Sequence, residues 1–345
     1  MSFLTNVSWS DKLPDDNIDV YEPYLKLFFE TLYERQMIWY RRFILKQDQP
    51  WTDNEFFRNN KFTNVYRELD RNSQWMIKYI MLDTELDLKN LVWKMMFFRY
   101  FNKPETFTFS NLMLTSASKW RNGIPNFDEY NADEYYEYLK GVHSTGQALH
   151  TDAYITSYGA IGDGIKFYSH IVLPTLHDKL DNLFEVVKTA NTPEEIIKFL
   201  RTLPGCGKFM AHEFYTDFTY IPKYTNYEFM KFGANDFTNV GPGSCTGIRL
   251  IFPSRKINKD RLKAIYELQS MAKEYLDNIS AEKGEKLQYL EWNKDKHEYH
   301  TITECNITLH QIEMWLCEFQ KYWRMMLGCG KQQKKFIPKN PDYIY

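Results

Sequence analysis

The chain has 345 residues, 17% of them aromatic, and a formal net charge of −2. That length suffices for one large domain or two lobes with substantial cores, and near-neutrality excludes a protein that coats nucleic acid non-specifically while allowing a local basic groove. The five cysteines stand far apart with no Cys-x-x-Cys pair, which argues against an iron–sulfur cluster or zinc ribbon and for reduced thiols in an intracellular protein.

The N-terminus places Asp11, Lys12, Asp15 and Asp16 where a signal peptide needs an apolar run. No stretch reaches the length of a membrane span, so a cytoplasmic protein with no membrane partner is expected. Residues 21–45 read as an amphipathic helix with Leu25, Phe28, Phe29, Leu32, Ile38 and Trp39 on its apolar side. Residues 60–71 (Asn-Lys-Phe-Thr-Asn-Val-Tyr-Arg-Glu-Leu-Asp-Arg) come next. On a helix starting near Thr63, Asn64, Arg67 and Arg71 share one face. With Lys61 beside them they could hold a phosphate or pyrophosphate, Asp70 orienting an arginine. Periodicity alone equally describes a surface helix laced with ion pairs.

Further helices are expected over residues 65–82, 88–101, 132–141, 165–187, 259–279 and 309–327. Strand signals are scarce, with Thr106-Phe107-Thr108-Phe109 the best short candidate. The overall expectation is a mainly α fold, two-lobed, with a cleft. His143-Ser144-Thr145-Gly146 and 151–156 offer small hydroxyl residues but a weak signal.

The most specific stretch is Leu203-Pro204-Gly205-Cys206-Gly207-Lys208-Phe209-Met210-Ala211. Thr192-Pro193-Glu194-Glu195 predicts a helix start with a capping box. Leu203-Pro204 ends that helix, two glycines make a tight turn, and a second helix opens at Lys208. Uncovered amides there, with Gly205, Gly207 and Lys208, would meet a nucleic-acid phosphate. Asp236 follows, before the glycine-rich Val240-Gly241-Pro242-Gly243; as a bare pattern, Asp and Gly also simply make turns. Near the end, Leu316, Phe319 and Trp323 face inward on a helix that also carries Lys321 and Arg324. Residues 321–340 hold six basic side chains and no acid, a DNA-facing edge or a solvated tail. His297 and His300 could share a metal on a helix, but with no third ligand a surface loop is the better reading.

The hairpin and the aspartate beyond it resemble the helix-hairpin-helix DNA glycosylases. Two departures stand out. Phe209 occupies the place of the nucleophilic lysine of bifunctional members, which argues against a Schiff-base lyase, and their four-cysteine cluster is absent. The blocks 62–71, 152–155, 203–211, 240–243 and 316–322 together resemble the alpha-glutamyl/putrescinyl thymine pyrophosphorylase family. That family is a glycosylase-like branch of bacteriophage thymine hypermodification that includes the helical domain of 5-hydroxymethyluracil DNA kinases. The resemblance implies an N-terminal helical extension over 1–54, a glycosylase-like domain over 55–330 and a basic tail over 331–345.

It also implies an amino acid (or polyamine):DNA transferase that displaces pyrophosphate from activated 5-hydroxymethyluracil. Its partners would be double-stranded DNA, a free amine and a 5-hydroxymethyluracil DNA kinase acting upstream, in the cytoplasm of a phage host. The Gly-x-x-x-x-Gly-Lys-Ser/Thr phosphate loop does not occur, which favours the transferase role. Asp236 would then be the catalytic carboxylate, and Lys61, Asn64, Arg67 and Arg71 would bind pyrophosphate. Gly205, Gly207, Lys208, Lys321 and Arg324 would hold DNA, while Tyr66 and Trp75 would wall the site. No cofactor or protein-bound metal is implied, beyond a divalent cation travelling with the pyrophosphate. The alternatives are a monofunctional glycosylase and a non-catalytic module that binds modified DNA.

Overall fold

Apolar periodicity sets the helices, and their order in the chain follows it closely. The computed structural model describes residues 13–108, 120–151, 162–329 and 336. In chain order the helices are α1 (Glu22–Trp39), α2 (Glu55–Asn59), α3 (Arg71–Met76), α4 (Leu88–Phe101), α5 (Pro104–Thr108), α6 (Ala132–Ser144) and α7 (Gly164–Phe167). They continue with α8 (Leu173–Thr189), α9 (Pro193–Leu200), α10 (Lys208–Tyr224), α11 (Pro242–Ile251), α12 (Asn258–Lys283) and α13 (Leu309–Met326). An antiparallel pair, β1 (Tyr289–Asn293) and β2 (Glu298–Ile302), precedes α13. Single π-helical turns extend α1 (Tyr40–Ile44) and α3 (Ile77–Met81) and join α7 to α8 (Tyr168–Val172). The fold is mainly α, as expected.

The chain divides into two compact units, residues 1–70 with 238–345 and residues 71–237. In the first, α1, α11, α12 and α13 pack together. The Trp315 indole N–H donates to the Phe28 carbonyl and the Thr31 hydroxyl, both at 3.3 Å, and Phe28 meets Phe319 edge-on at 5.5 Å. The glycines after Val240 serve this packing: a Cβ on Gly247 would stand 2.5 Å from the Leu316 carbonyl oxygen. Only a bare backbone lets α11 lie so close to α13.

In the second unit α4 is buried along residues 91–101. Asp87 caps its start by accepting from the Asn90 amide at 2.7 Å, and Asn102 ends it in the left-handed region at φ 49°. Arg99 on α4 and Asp217 on α10, both 1% exposed, form a two-pronged ion pair at 2.6 and 2.7 Å. Breaking one half of such a pair would strand a buried charge, so it fixes how α4 meets α10.

Several expectations fail for local reasons. No helix starts near Thr63: residues 61–66 are irregular, Arg67–Leu69 form a 3₁₀ turn, and extended Asp70 (ψ 142°) separates it from α3. Residues 106–108 belong to α5 rather than a strand, because Pro104 opens a helix there. Residues 297–302, read as a loop, form the turn and second strand of the β1–β2 hairpin, with Trp292 paired to Tyr299. The predicted capping box is incomplete: Glu195 accepts from the Asn191 amide at 3.1 Å, and the Thr192 side chain makes no cap bond.

Candidate functional site

Two of the sequence blocks meet in the first unit. Glu318 of α13 is 3% exposed and accepts from the Thr63 amide at 3.3 Å and from Lys321 at 2.5 Å. Tyr322, one turn on, accepts from the Asn54 amide side chain at 2.8 Å and packs its ring against Phe56, Phe57 and Phe62. Asn64 links two charges. Arg35 of α1 donates to its carbonyl oxygen at 2.7 Å, while its amide nitrogens donate to Asp70 at 3.0 Å each. Burial pushes the Asp70 carboxyl up to about 6, although the Asn64 amide and then Arg35 pull the other way. Burial lowers the Arg35 guanidinium to about 10 against the opposing fields of Asp70 and Glu318. Arg67 lies half-buried in the same segment, and Lys61 is exposed.

Two hollows open beside this network, both lined in part by the segment from Pro50 to Thr52. The first, about 110 Å³, is lined by Arg35, Arg42 and Arg58 together with rings that include Trp39 and Trp51, and none of the described residues lining it is a carboxylate. The Arg42 guanidinium lies 4.6 Å from the Phe43 ring, 4.8 Å from Trp51 and 5.8 Å from Phe336. The second, about 540 Å³, has the opposite character, edged by Glu30, Glu34, Asp53 and Glu285 with Arg41 and Lys283. Arg41 ties its rim together, donating to Glu34 at 3.1 Å and to Glu285 at 2.6 Å.

The second unit holds the other candidates. α9 and α10 are joined by a turn in which Gly205 takes φ +71°, while Gly207 sits at φ −76°, ψ −173° as N-cap of α10. Leu203 and Cys206 are buried beneath it, and Tyr100 of α4 donates to the Pro204 carbonyl at 3.2 Å, pinning the turn to the core. Gly207, Lys208 and Phe209 are exposed, and no side chain caps α10. Burial pushes the Cys206 thiol up to about 12, so it stays protonated rather than acting as a nucleophile. Asp236 is exposed and closes its own turn: its carboxylate accepts from the Gly233 amide at 2.6 Å, and its amide donates back to the Gly233 carbonyl at 3.3 Å.

The structure therefore gathers Lys61, Asn64, Arg67, Lys321 and Arg324 in the first unit and Arg71, Gly205, Gly207, Lys208 and Asp236 in the second. Arg71 pairs with Glu105 rather than sharing a helix face with Asn64 and Arg67. Tyr66 and Trp75 are core rather than walls. Tyr66 is 1% exposed and hydrogen-bonded to Asn306, and Trp75 stacks on Phe98 at 4.8 Å. Residues 152–155 and the lysines at 331, 334, 335 and 339 lie outside the described residues.

Sequence reasoning missed Arg35, Arg42 and Arg58. Arg35 and Arg42 lie on a segment read only for its apolar side, although the Arg41-Arg42 pair ahead of Trp51 was a usable signal. Among the described residues, no group of three or more His, Cys, Asp or Glu is placed to hold a metal, and no helix is long and apolar enough to cross a membrane.

Comparison with known proteins adds a family. The family described as "5-hmdU DNA kinase, helical domain" matches residues 22–332. The chain is 26% identical over 360 aligned residues to a 5-hmdU DNA kinase of Bacillus phage SP10, covering 96% of this chain and 52% of that protein. It thus spans about half the length of the curated relative it matches. No solved structure matches it.

Proposed function

Because the chain belongs to the family of the 5-hmdU DNA kinase helical domain, we propose that it acts in phage thymine hypermodification, as the transferase that follows base activation. An amine nitrogen attacks the methylene carbon of pyrophosphorylated 5-hydroxymethyluracil in DNA. The carbon–oxygen bond breaks, the electron pair leaves with pyrophosphate, and the nitrogen gives up a proton to a carboxylate.

The observation that carries this reading is the convergence of residues 62–71 with residues 316–322. They meet through Glu318, Thr63 and Tyr322 beside Arg35 and Asn64. The desolvated Arg35 guanidinium at this junction suits a developing polyanion better than an exposed ion-pair array does. The α9–α10 turn, with its bare first-turn amides, suits a DNA phosphate. The base must also be turned out of the stack, since its methylene carbon is hard to reach within the duplex. Asp236 is the proposed proton acceptor, its carboxylate exposed although one oxygen already serves its turn.

Pyrophosphate release from DNA carrying the activated base tests the reading. Release should need the protein and rise with added amine. Release that ignores amine would indicate hydrolysis, and release of free base would indicate a glycosylase.

A further inference from the structure

The turn between α9 and α10 has a defined type. The Cys206 amide donates to the Leu203 carbonyl at 3.1 Å, with Pro204 second in the turn and Gly205 third, at φ +71°. A proline followed by a positive φ inside such a bond is the type II arrangement. A type I turn of the same four residues differs by a flip of the Pro204–Gly205 peptide, which sends its carbonyl to the opposite face. Glycine takes either backbone at little cost, so Gly205 does not itself choose between them.

Tyr100 supplies the choice. This residue of α4 is 0% exposed, and its hydroxyl donates to the Pro204 carbonyl at 3.2 Å. Its ring packs edge-on against Phe214 of α10 at 5.1 Å, so the hydroxyl is held in register with the helix that follows the turn. Burial pushes that hydroxyl well above the ordinary tyrosine range, and it remains a donor. Across a planar trans peptide the carbonyl and the next amide point in opposite directions. With the Pro204 oxygen on Tyr100, the Gly205 N–H therefore points away from α4, and it donates to no described carbonyl. Two residues on, Gly207 and Lys208 are exposed, and no side chain caps α10. The flipped peptide would instead present a carbonyl oxygen, whose lone pairs repel a phosphate.

We propose that Tyr100 is a positioning residue for DNA: its hydroxyl holds the Pro204–Gly205 peptide in the type II orientation, which makes the Gly205 amide a phosphate donor beside the start of α10. The inference rests on the reading of the α9–α10 turn as a DNA contact. It adds a donor ahead of the helix and names the buried side chain that aims it.

Anisotropy with duplex DNA containing 5-hydroxymethyluracil, together with amide spectra of glycine-15N-labelled full-length protein, tests it. Gly205→Ala identifies the Gly205 signal by its loss, and its side chain disfavours the left-handed backbone. In wild type that signal should shift on adding the duplex. Tyr100→Phe should move it before any DNA is present and weaken binding about fivefold or more. Gly205→Ala should weaken binding in the same direction, and the double variant should lose no more than the weaker-binding single one, because both act on one peptide. Tyr138→Phe removes another buried hydroxyl of the same unit, one that donates to the Thr106 carbonyl, and should keep wild-type affinity. A Tyr100→Phe protein with an unmoved Gly205 signal and wild-type affinity per folded molecule would overturn the proposal. So would additive losses in the double variant, or a wild-type Gly205 signal that ignores bound DNA. If these DNA-binding results hold but no amine is transferred, the positioning role stands and the transferase reading fails.

Discussion

Individual side chains carry the chemistry, and two of them make separable predictions. Asp236→Asn keeps the size and removes the charge. If Asp236 accepts the proton of the attacking amine, transfer should fall by about 10²-fold or more while DNA affinity holds or improves. An unchanged rate per folded molecule, with a lower melting temperature, would mean that Asp236 only closes its turn on Gly233. The proton acceptor would then be sought among Glu30, Glu34 and Asp53. Asp70 gives a pH signature. Its carboxyl titrates near 6 in the folded chain against an ordinary 3.8. Between those values the unfolded chain ionises while the folded chain keeps its proton, so this group lowers stability as pH rises through the window and leaves it lower above 6. Urea denaturation across that range should therefore show Asp70→Asn gaining on wild type up to about pH 6 and then holding level. A difference constant with pH would contradict the buried environment of Asp70. The residue types at this site were legible as a cationic block, but their partners were not. Asn64 bridges Arg35 and Asp70 because the chain turns there, and a helical face drawn through Thr63 could not foresee it.

Among the elements, the α9–α10 turn was the most legible, because proline, glycine and two apolar faces mark its ends. The β1–β2 hairpin was not. Tyr289 and Leu290 are adjacent and both buried, so the alternation that marks a strand is broken at its first residues. α11 was hidden by its glycines, which read as a turn but are there to let Leu316 approach. The turn makes its own prediction. Gly207 does not need a left-handed backbone, and a Cβ there would meet nothing within 4 Å. Gly207→Ser should therefore leave the melting temperature unchanged or raise it slightly, since serine is a good N-cap. If the bare amides meet a DNA phosphate, the same change should weaken DNA binding in a gel-shift or anisotropy assay. A variant that binds as wild type does would leave the turn a structural corner.

At the scale of the whole molecule, the mainly α class was readable from periodicity, whereas the pairing of segments distant in sequence was not. α1 packs with α11, α12 and α13, so segments from both halves of the sequence share one unit, while residues 71–237 form the other. Such pairing depends on contacts between distant residues, which no local pattern records. The near-neutral sum of charges conceals local sets such as Arg35, Arg42 and Arg58, so affinity for DNA should fall steeply with salt by counterion release. Affinity that is flat between low and moderate salt would contradict a phosphate-contacting role. The central claim is that the chain joins an amine to an activated base that stays in DNA. Mass spectrometry of nucleosides tests it most directly, after DNA containing pyrophosphorylated 5-hydroxymethyluracil is incubated with the protein and mixed amino acids and polyamines. The account predicts a deoxyuridine bearing the amine on its C5 methylene carbon, formed only with protein present. Recovery of unmodified or merely hydrolysed nucleoside alone, or of free base with an abasic site, would contradict it.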